Sequence, residues 1–372
     1  MTPAERPDVV VVGAGAIGAA CAYELACAGV RVTVIERAEP GAEASGASAG
    51  LLSAFTTDRS GPLAALYRLS RDLYEPLAGI LRNESGVDVQ HERSGHLELC
   101  MGDEEARWGQ DVAAEHRGGP ERVEYLTAEA LRQLEPEVTR EARGALLLPR
   151  NEWVHNGRLV TALVRAATRR GARFLLGQPV EALLQADGRV TGVRARGVGT
   201  VEAGAVVLAA GAWSGEIGGV PAALRLRPVK GQMLALANDP ALFRHAVVRE
   251  HIYLVPRASG ECIVGATVED GVADKSVTPA GLHWLLTEAV VTVPALARVP
   301  FLRAWAGIRP ATADGLPIIG PWPDLPGLYV ATGHFRSGIL LTPITAQIIA
   351  EWIVKGRSTL PAEAFLPDRL LR

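Results

Sequence analysis

Four β-branched residues, Val9–Val12, open the ordered pattern of the chain. A run without polar alternation marks a strand buried on both faces, the form taken by parallel sheets covered by other layers. Residues 9–36 read VVVVGAGAIGAACAYELACAGVRVTVIE: strand, glycine turn, apolar helix and second strand, a complete βαβ unit. Residues 62–83 and 103–117 space Leu, Tyr and Ala between Arg, Asp and Glu with helical period, and 127–135 opens on Thr127 as an N-cap. None of these three segments carries a candidate reactive group. Residues 158–176 predict an amphipathic helix stopped by Gly171 and followed by a strand; 180–195 predict a hairpin turning at Asp187-Gly188, returning the chain to the first sheet. Beyond Pro228 the segments KGQMLALA, HAVVREHIYLVPR and ECIVGATVE alternate between Gly and Pro boundaries, as antiparallel strands do, and 278–293 predict a helix capped near Thr278-Pro279. The expected fold is α/β. A discontinuous Rossmann-like cofactor domain takes residues 1–85, 150–220 and 306–372, and a second, mostly antiparallel-sheet substrate domain takes 86–149 and 221–305.

Length agrees with this division, because 372 residues at roughly 150 per domain give about 2.5. With 48% hydrophobic and 21% charged residues the chain can bury a core, which excludes an intrinsically disordered protein. The balance of 38 basic against 41 acidic residues, with no Lys/Arg run, argues against nucleic acid as a partner. Cys21, Cys27, Cys100 and Cys262 form no CxxC pair, so neither a disulfide framework nor a metal site is expected. The segment MTPAERPD lacks the features of a secretory leader, and the apolar stretch 339–354 is interrupted by Pro343, Gln347 and Glu351. A cytoplasmic protein without a membrane span is expected.

The turn at Gly13, Gly15 and Gly18 supplies the chemistry. In G-x-G-x-x-G the first glycine permits the turn, the second lets backbone N–H groups reach a pyrophosphate, and the third lets helix and strand pack closely. Glu36 ends the second strand eighteen residues beyond Gly18, where a carboxylate accepts ribose hydroxyls and disfavours a 2′-phosphate. The sequel PGAEASGASAGLLSAF, residues 40–55, is a small-residue loop and no third Rossmann strand. The remaining pieces of that domain arrive late, at 199–215 and 327–353, an order that fits FAD better than NAD.

Three segments, HIYLVPRASGECIVGAT (251–267), WAGIRPATADGLPIIG (305–320) and GHFRSGILLTPI (333–344), carry a resemblance to the FAD-dependent amine and D-amino-acid oxidases, and within them to the glycine oxidases of thiamin biosynthesis. It covers nearly the whole chain. The resemblance implies that FAD touches Ala16 and Ile17 in the first turn, Glu36 and Arg37, then Ala44, Ser45, Ala49, Gly50 and Leu51, with the Val180 backbone beside adenine. It sets the flavin ring on His334, Phe335, Arg336, Ser337, Gly338, Ile339 and Leu340, and the substrate carboxylate on Arg309 with Tyr253 and Arg336 close by. Leu51 stands where relatives often carry Met, and Gly46 and Ser48 interrupt an alanine run, departures that bear on pocket shape. It also implies a homo-oligomer.

Physical reading of the same residues agrees. A guanidinium forks two hydrogen bonds to a carboxylate, which suits Arg309 to an α-amino acid, and the Tyr253 hydroxyl can add a third. His251 shares the strand face of Tyr253. Ser337-Gly338 precede an apolar helix whose N-terminus would favour negative charge on the flavin. No Cys occurs between 263 and 372, where sarcosine oxidases hold flavin covalently, so noncovalent FAD is expected. The expected activity is oxidative deamination of glycine or another small amine, such as sarcosine or D-alanine, with O2 reduced to H2O2. The alternative is a D-amino-acid or N-methylglycine dehydrogenase that passes electrons to a quinone or carrier.

Overall fold

A computed structural model describes residues 6–55 and 61–371; residues 1–5, part of the segment read for a leader, lie outside the described residues. The chain is α/β, built on two sheets. In the first, six strands run in the order Ile318–Pro321, Leu328–Thr332, Ala205–Leu208, Val9–Val12, Val32–Ile35, Arg173–Leu175, all parallel except the first pair. Helices Ala16–Cys27, Asn156–Arg169 and Thr342–Lys355 cover one face. Val9, Val11 and Val34 pack into the helical side, while Val10, Val12 and Ile35 pack into the other, which is why the run tolerates no polar alternation.

That other face is covered by the predicted hairpin. Strands Val180–Ala186, Arg189–Ala195 and Gly199–Glu202 do not join the parallel sheet as expected but form a separate antiparallel sheet, with Leu183, Val190, Val193 and Val201 pressed against Val10 and Val206. A hairpin pairs locally, and its apolar face needs a partner layer more than an edge does. The helical stretch after residue 61 divides into Pro62–Asp72 and Tyr74–Ser85. The small-residue loop holds a short helix, Ala44–Ala47, and a strand, Leu51–Leu52, paired with Glu152–Trp153.

The second sheet has nine strands in the order Glu269–Asp270, Arg227–Ala237, Glu261–Gly265, Ile252–Pro256, Ala246–Arg249, His96–Cys100, Gly144–Leu148, Glu124–Thr127, with Phe301–Ala311 along the other side of Arg227–Ala237. Only the junction between Ala246–Arg249 and His96–Cys100 is parallel. Phe301–Ala311 lies wholly in this sheet and spans the expected boundary at 306, and near its C-terminal end the Pro310 carbonyl accepts from the Phe335 N–H at 2.9 Å. Helix Pro279–Thr292 covers the outer face, its first turn capped by Thr278 Oγ1, which accepts from the Gly281 N–H at 3.1 Å. Among the described residues no helix is long and apolar enough to cross a membrane.

Candidate functional site

Between the two sheets runs a cleft of about 560 Å³, a size typical of ligand sites. Its floor is one row of the second sheet. Met233 pairs with Gly265, Gly265 with Tyr253, Tyr253 with Val248 and Val248 with Glu98, so Met233, Tyr253, Val248 and Glu98 share a face and line the cleft. Glycines in the floor make room for the larger side chains: a Cβ at Gly231 would fall within the Arg309 guanidinium, and one at Gly265 would sit 2.7 Å from the Tyr253 hydroxyl oxygen.

Arg309 is half-buried, and its Nη1 donates to the carbonyls of Thr267 (3.1 Å) and Lys230 (3.4 Å). It forms no ion pair among the described residues. A cation held from behind by carbonyls at the wall of a cleft is suited to an incoming anion. Burial pushes the Tyr253 hydroxyl above the ordinary phenol range, while the guanidiniums of Arg309 and Arg336 draw it part of the way back. Tyr253 therefore stays protonated and able to donate. Arg336 is exposed on the wall, 5.1 Å from the Phe335 ring. His251 is also an exposed wall residue.

At the other end, the Glu36 carboxylate is buried and accepts from the N–H of Ala14 (2.7 Å) and of Ala38 (2.9 Å). Arg37 lies 3.7 Å over the Trp213 ring and pairs with Glu43 at 2.5 Å. Val180, Gly13, Gly15, Ile17, Ala44, Ser45, Ala49, Gly50 and Leu51 all reach the wall. Ala16 does not, and Gly18 serves the close packing expected of the third glycine. Gly18 packs against Gly13, whose carbonyl oxygen a Cβ there would overlap, and the Ala16 N–H donates to Ser45 Oγ at 2.9 Å.

The third wall is the turn from His334 to Leu341. The expected helix N-terminus is displaced, because the helix starts at Thr342 and Ser337–Leu341 form a turn before it. The N–H groups of Gly338, Ile339 and Leu340 find no acceptor among the described residues. Their neighbouring carbonyls are tied back, Ile339 by the hydroxyl of Tyr74 and Leu340 by that of Ser70 (2.6 Å). The two helices that the sequence reading left without chemistry thus hold the turn. His334 is buried and shares a 3.0 Å hydrogen bond with Thr345 Oγ1; burial lowers it to about 3, so it is neutral.

Sequence reasoning missed Trp213, Met233, Val248, Glu98 and His96. The last is lowered to about 4 by burial and is bonded through Nδ1 to Ser53 Oγ at 3.2 Å. Strand register alone brings Val248 and Glu98 to Tyr253, from strands far apart in sequence.

Residues 8–352 match the model of the FAD-dependent oxidoreductase family described as DAO. The chain belongs to that family. It is 35% identical over 371 residues to a glycine oxidase of Geobacillus kaustophilus, covering 97% of this chain and 96% of the relative. It is 36% identical over 356 residues to the bifunctional protein ThiO/ThiG of a Nostoc species, covering 94% of this chain and 53% of that longer protein. The crystal structure of the Geobacillus kaustophilus glycine oxidase superposes with a TM-score of 0.91 at 34% identity, covering 97% of this chain and 98% of that one.

FAD is therefore the cofactor of this flavoprotein, and the wall residues fit it. Unspent N–H groups on the 338–340 turn suit an electron-rich ring, the Gly13 turn opens a helix N-terminus for a pyrophosphate, and Glu36 retains lone pairs for hydroxyl donors. Among the described residues no cysteine lines the cleft: Cys21, Cys100 and Cys262 are buried elsewhere and Cys27 is exposed.

Proposed function

We propose that this flavoprotein oxidises glycine: glycine, O2 and water give glyoxylate, ammonia and H2O2. The observation that carries the reading is Arg309, a half-buried guanidinium without an ion pair among the described residues, beside Tyr253 on a floor of small residues. Arg309 takes the substrate carboxylate in a bidentate fork and Tyr253 donates to the same group. This fixes the α-carbon and amine relative to the 338–340 turn, and orientation of that kind supplies much of a rate enhancement. Arg336 closes the exposed side. Bound FAD, held without a covalent link to the chain, supplies the two-electron acceptor, and O2 reoxidises it. His334, neutral and hydrogen-bonded to Thr345, packs behind the turn and takes no proton.

Sarcosine and D-alanine belong to the same substrate class, since each keeps the carboxylate and adds one methyl group. The division at residues 86, 150, 221 and 306 into cofactor and substrate domains belongs to the same reading. The near full-length similarity to glycine oxidases favours O2 over a quinone or carrier as acceptor. Supply of an intermediate for thiamin thiazole synthesis, a cytoplasmic location and self-association complete the proposal. A substrate panel tests it: glycine, sarcosine and D-alanine should each yield one H2O2 per amine oxidised. Turnover of carboxylate-free amines alone would sink it.

A further inference from the structure

Arg257 follows the strand that carries Tyr253, on the same alternating face, and is 8% exposed. It has no carboxylate partner within ion-pair distance among the described residues; the neighbouring acid Glu261 is taken by Arg303. Its acceptors are instead neutral: Nη1 donates to the Val154 carbonyl at 2.7 Å, and Nη2 donates to the Ala49 carbonyl at 2.5 Å and to Asn156 Oδ1 at 3.3 Å. Burying a cation without an ion-pair partner is costly.

The acceptors show what the cation holds. Nearly every carbonyl of the loop from Ser45 to Gly50 is drawn off by a donor from outside it. Asn156 Nδ2 donates to Ser45 O and Gly46 O at 2.8 Å each, Trp305 Nε1 to Ala47 O at 3.0 Å, Arg257 to Ala49 O, and the Val154 N–H to Gly50 O at 3.0 Å. The N–H groups of Ser48 and Ala49 find no acceptor among the described residues, and both residues line the cleft. The loop is thus oriented as a row of donors, and Arg257 and Asn156 are joined to each other beneath it.

We propose that Arg257 is a positioning residue for FAD: its fork fixes the Ala49 carbonyl, keeps the Ser48 and Ala49 N–H groups turned to the cofactor, and ties that loop to the strand bearing Tyr253. The planar fork matters, since three divergent acceptors match a guanidinium and not an ammonium. Its charge, bonded directly to carbonyl and amide dipoles with the Glu261 carboxylate acting from further off, adds to the attraction of the loop for electron-rich groups. The inference rests on the flavin reading and not on which amine is oxidised.

Arg257→Lys and Arg257→Met test it in the full chain, with Leu254→Ala, on the opposite face of the same strand, as a control for lost stability. FAD titrated into each apoprotein should bind at least tenfold more weakly in both Arg257 variants. Their reconstituted holoenzymes should show a lower flavin midpoint potential and a shifted visible spectrum, and the KM for glycine of the Lys variant should stay within threefold. Leu254→Ala should lose melting temperature without these changes. If Arg257→Met does not fold, Arg257→Lys decides. An Arg257→Lys protein with wild-type FAD affinity, spectrum and potential overturns the inference, whatever its melting temperature. Wild-type apoprotein that takes up no FAD would instead overturn the flavin reading itself.

Discussion

Arg309 is placed by backbone rather than by another charge. Thr267 and Lys230 offer it carbonyls, and Gly231 leaves the space it fills. Arg309→Lys loses the fork and misplaces the substrate, and should lower kcat/KM by roughly 30- to 1000-fold, about 2 to 4 kcal/mol, with FAD content unchanged. Steady-state kinetics on glycine against a carboxylate-free amine checks this; equal losses on both would assign Arg309 to the fold. Glu36 is held by two backbone N–H groups at the cofactor end, so Glu36→Lys should weaken FAD binding, read by fluorescence titration. An unchanged dissociation constant would show that the carboxylate serves only Ala14 and Ala38. His334 gives a pH signature. Held at about 3 against an ordinary 6.5, it leaves the unfolded chain to take up a proton first as pH falls. Its contribution to stability is therefore complete above pH 6.5 and lost on descent towards pH 3, at most about 1.4 kcal/mol per pH unit. His334→Gln should flatten the melting temperature between pH 6.5 and 4.5, and a slope as steep as wild type would contradict this.

Elements, more than single residues, decided what the sequence could disclose. The Val9–Val12 run, its glycine turn and the alternation after Pro228 were legible because burial on two faces and on one face leave different periods in the chain. The position of the 180–195 hairpin was not legible, since its pairing is local while its partner layer is tertiary. Nor was the work of Pro62–Asp72 and Tyr74–Ser85, whose hydroxyls reach the 337–341 turn across some 265 residues of sequence. Tyr74→Phe should leave the Ile339 carbonyl with the Thr342 N–H alone, cost about 1 to 3 kcal/mol of stability and loosen FAD. Parallel measurements of melting temperature and FAD affinity test it. A stability loss with unchanged FAD affinity would confine Tyr74 to the core.

At the scale of the whole molecule, the cleft lies between two sheets, with Ala49 and Trp153 packed against Met233 and Val255 of the second. The side of the first sheet brings N–H donors at Ser48–Ala49 and Gly338–Leu340; the second brings the row from Met233 to Glu98 and the Arg309 cation. Motifs betrayed the first set, since glycine turns leave signatures. The row left none, because register among five strands appears in no local window. Electrons are expected to pass from glycine through FAD to O2, and anaerobic mixing of the purified holoprotein with glycine tests this most directly. Flavin absorbance should bleach on mixing and return on admission of O2, with glyoxylate and H2O2 in equal amounts. Flavin that stays oxidised in the presence of glycine, sarcosine and D-alanine alike would contradict the account.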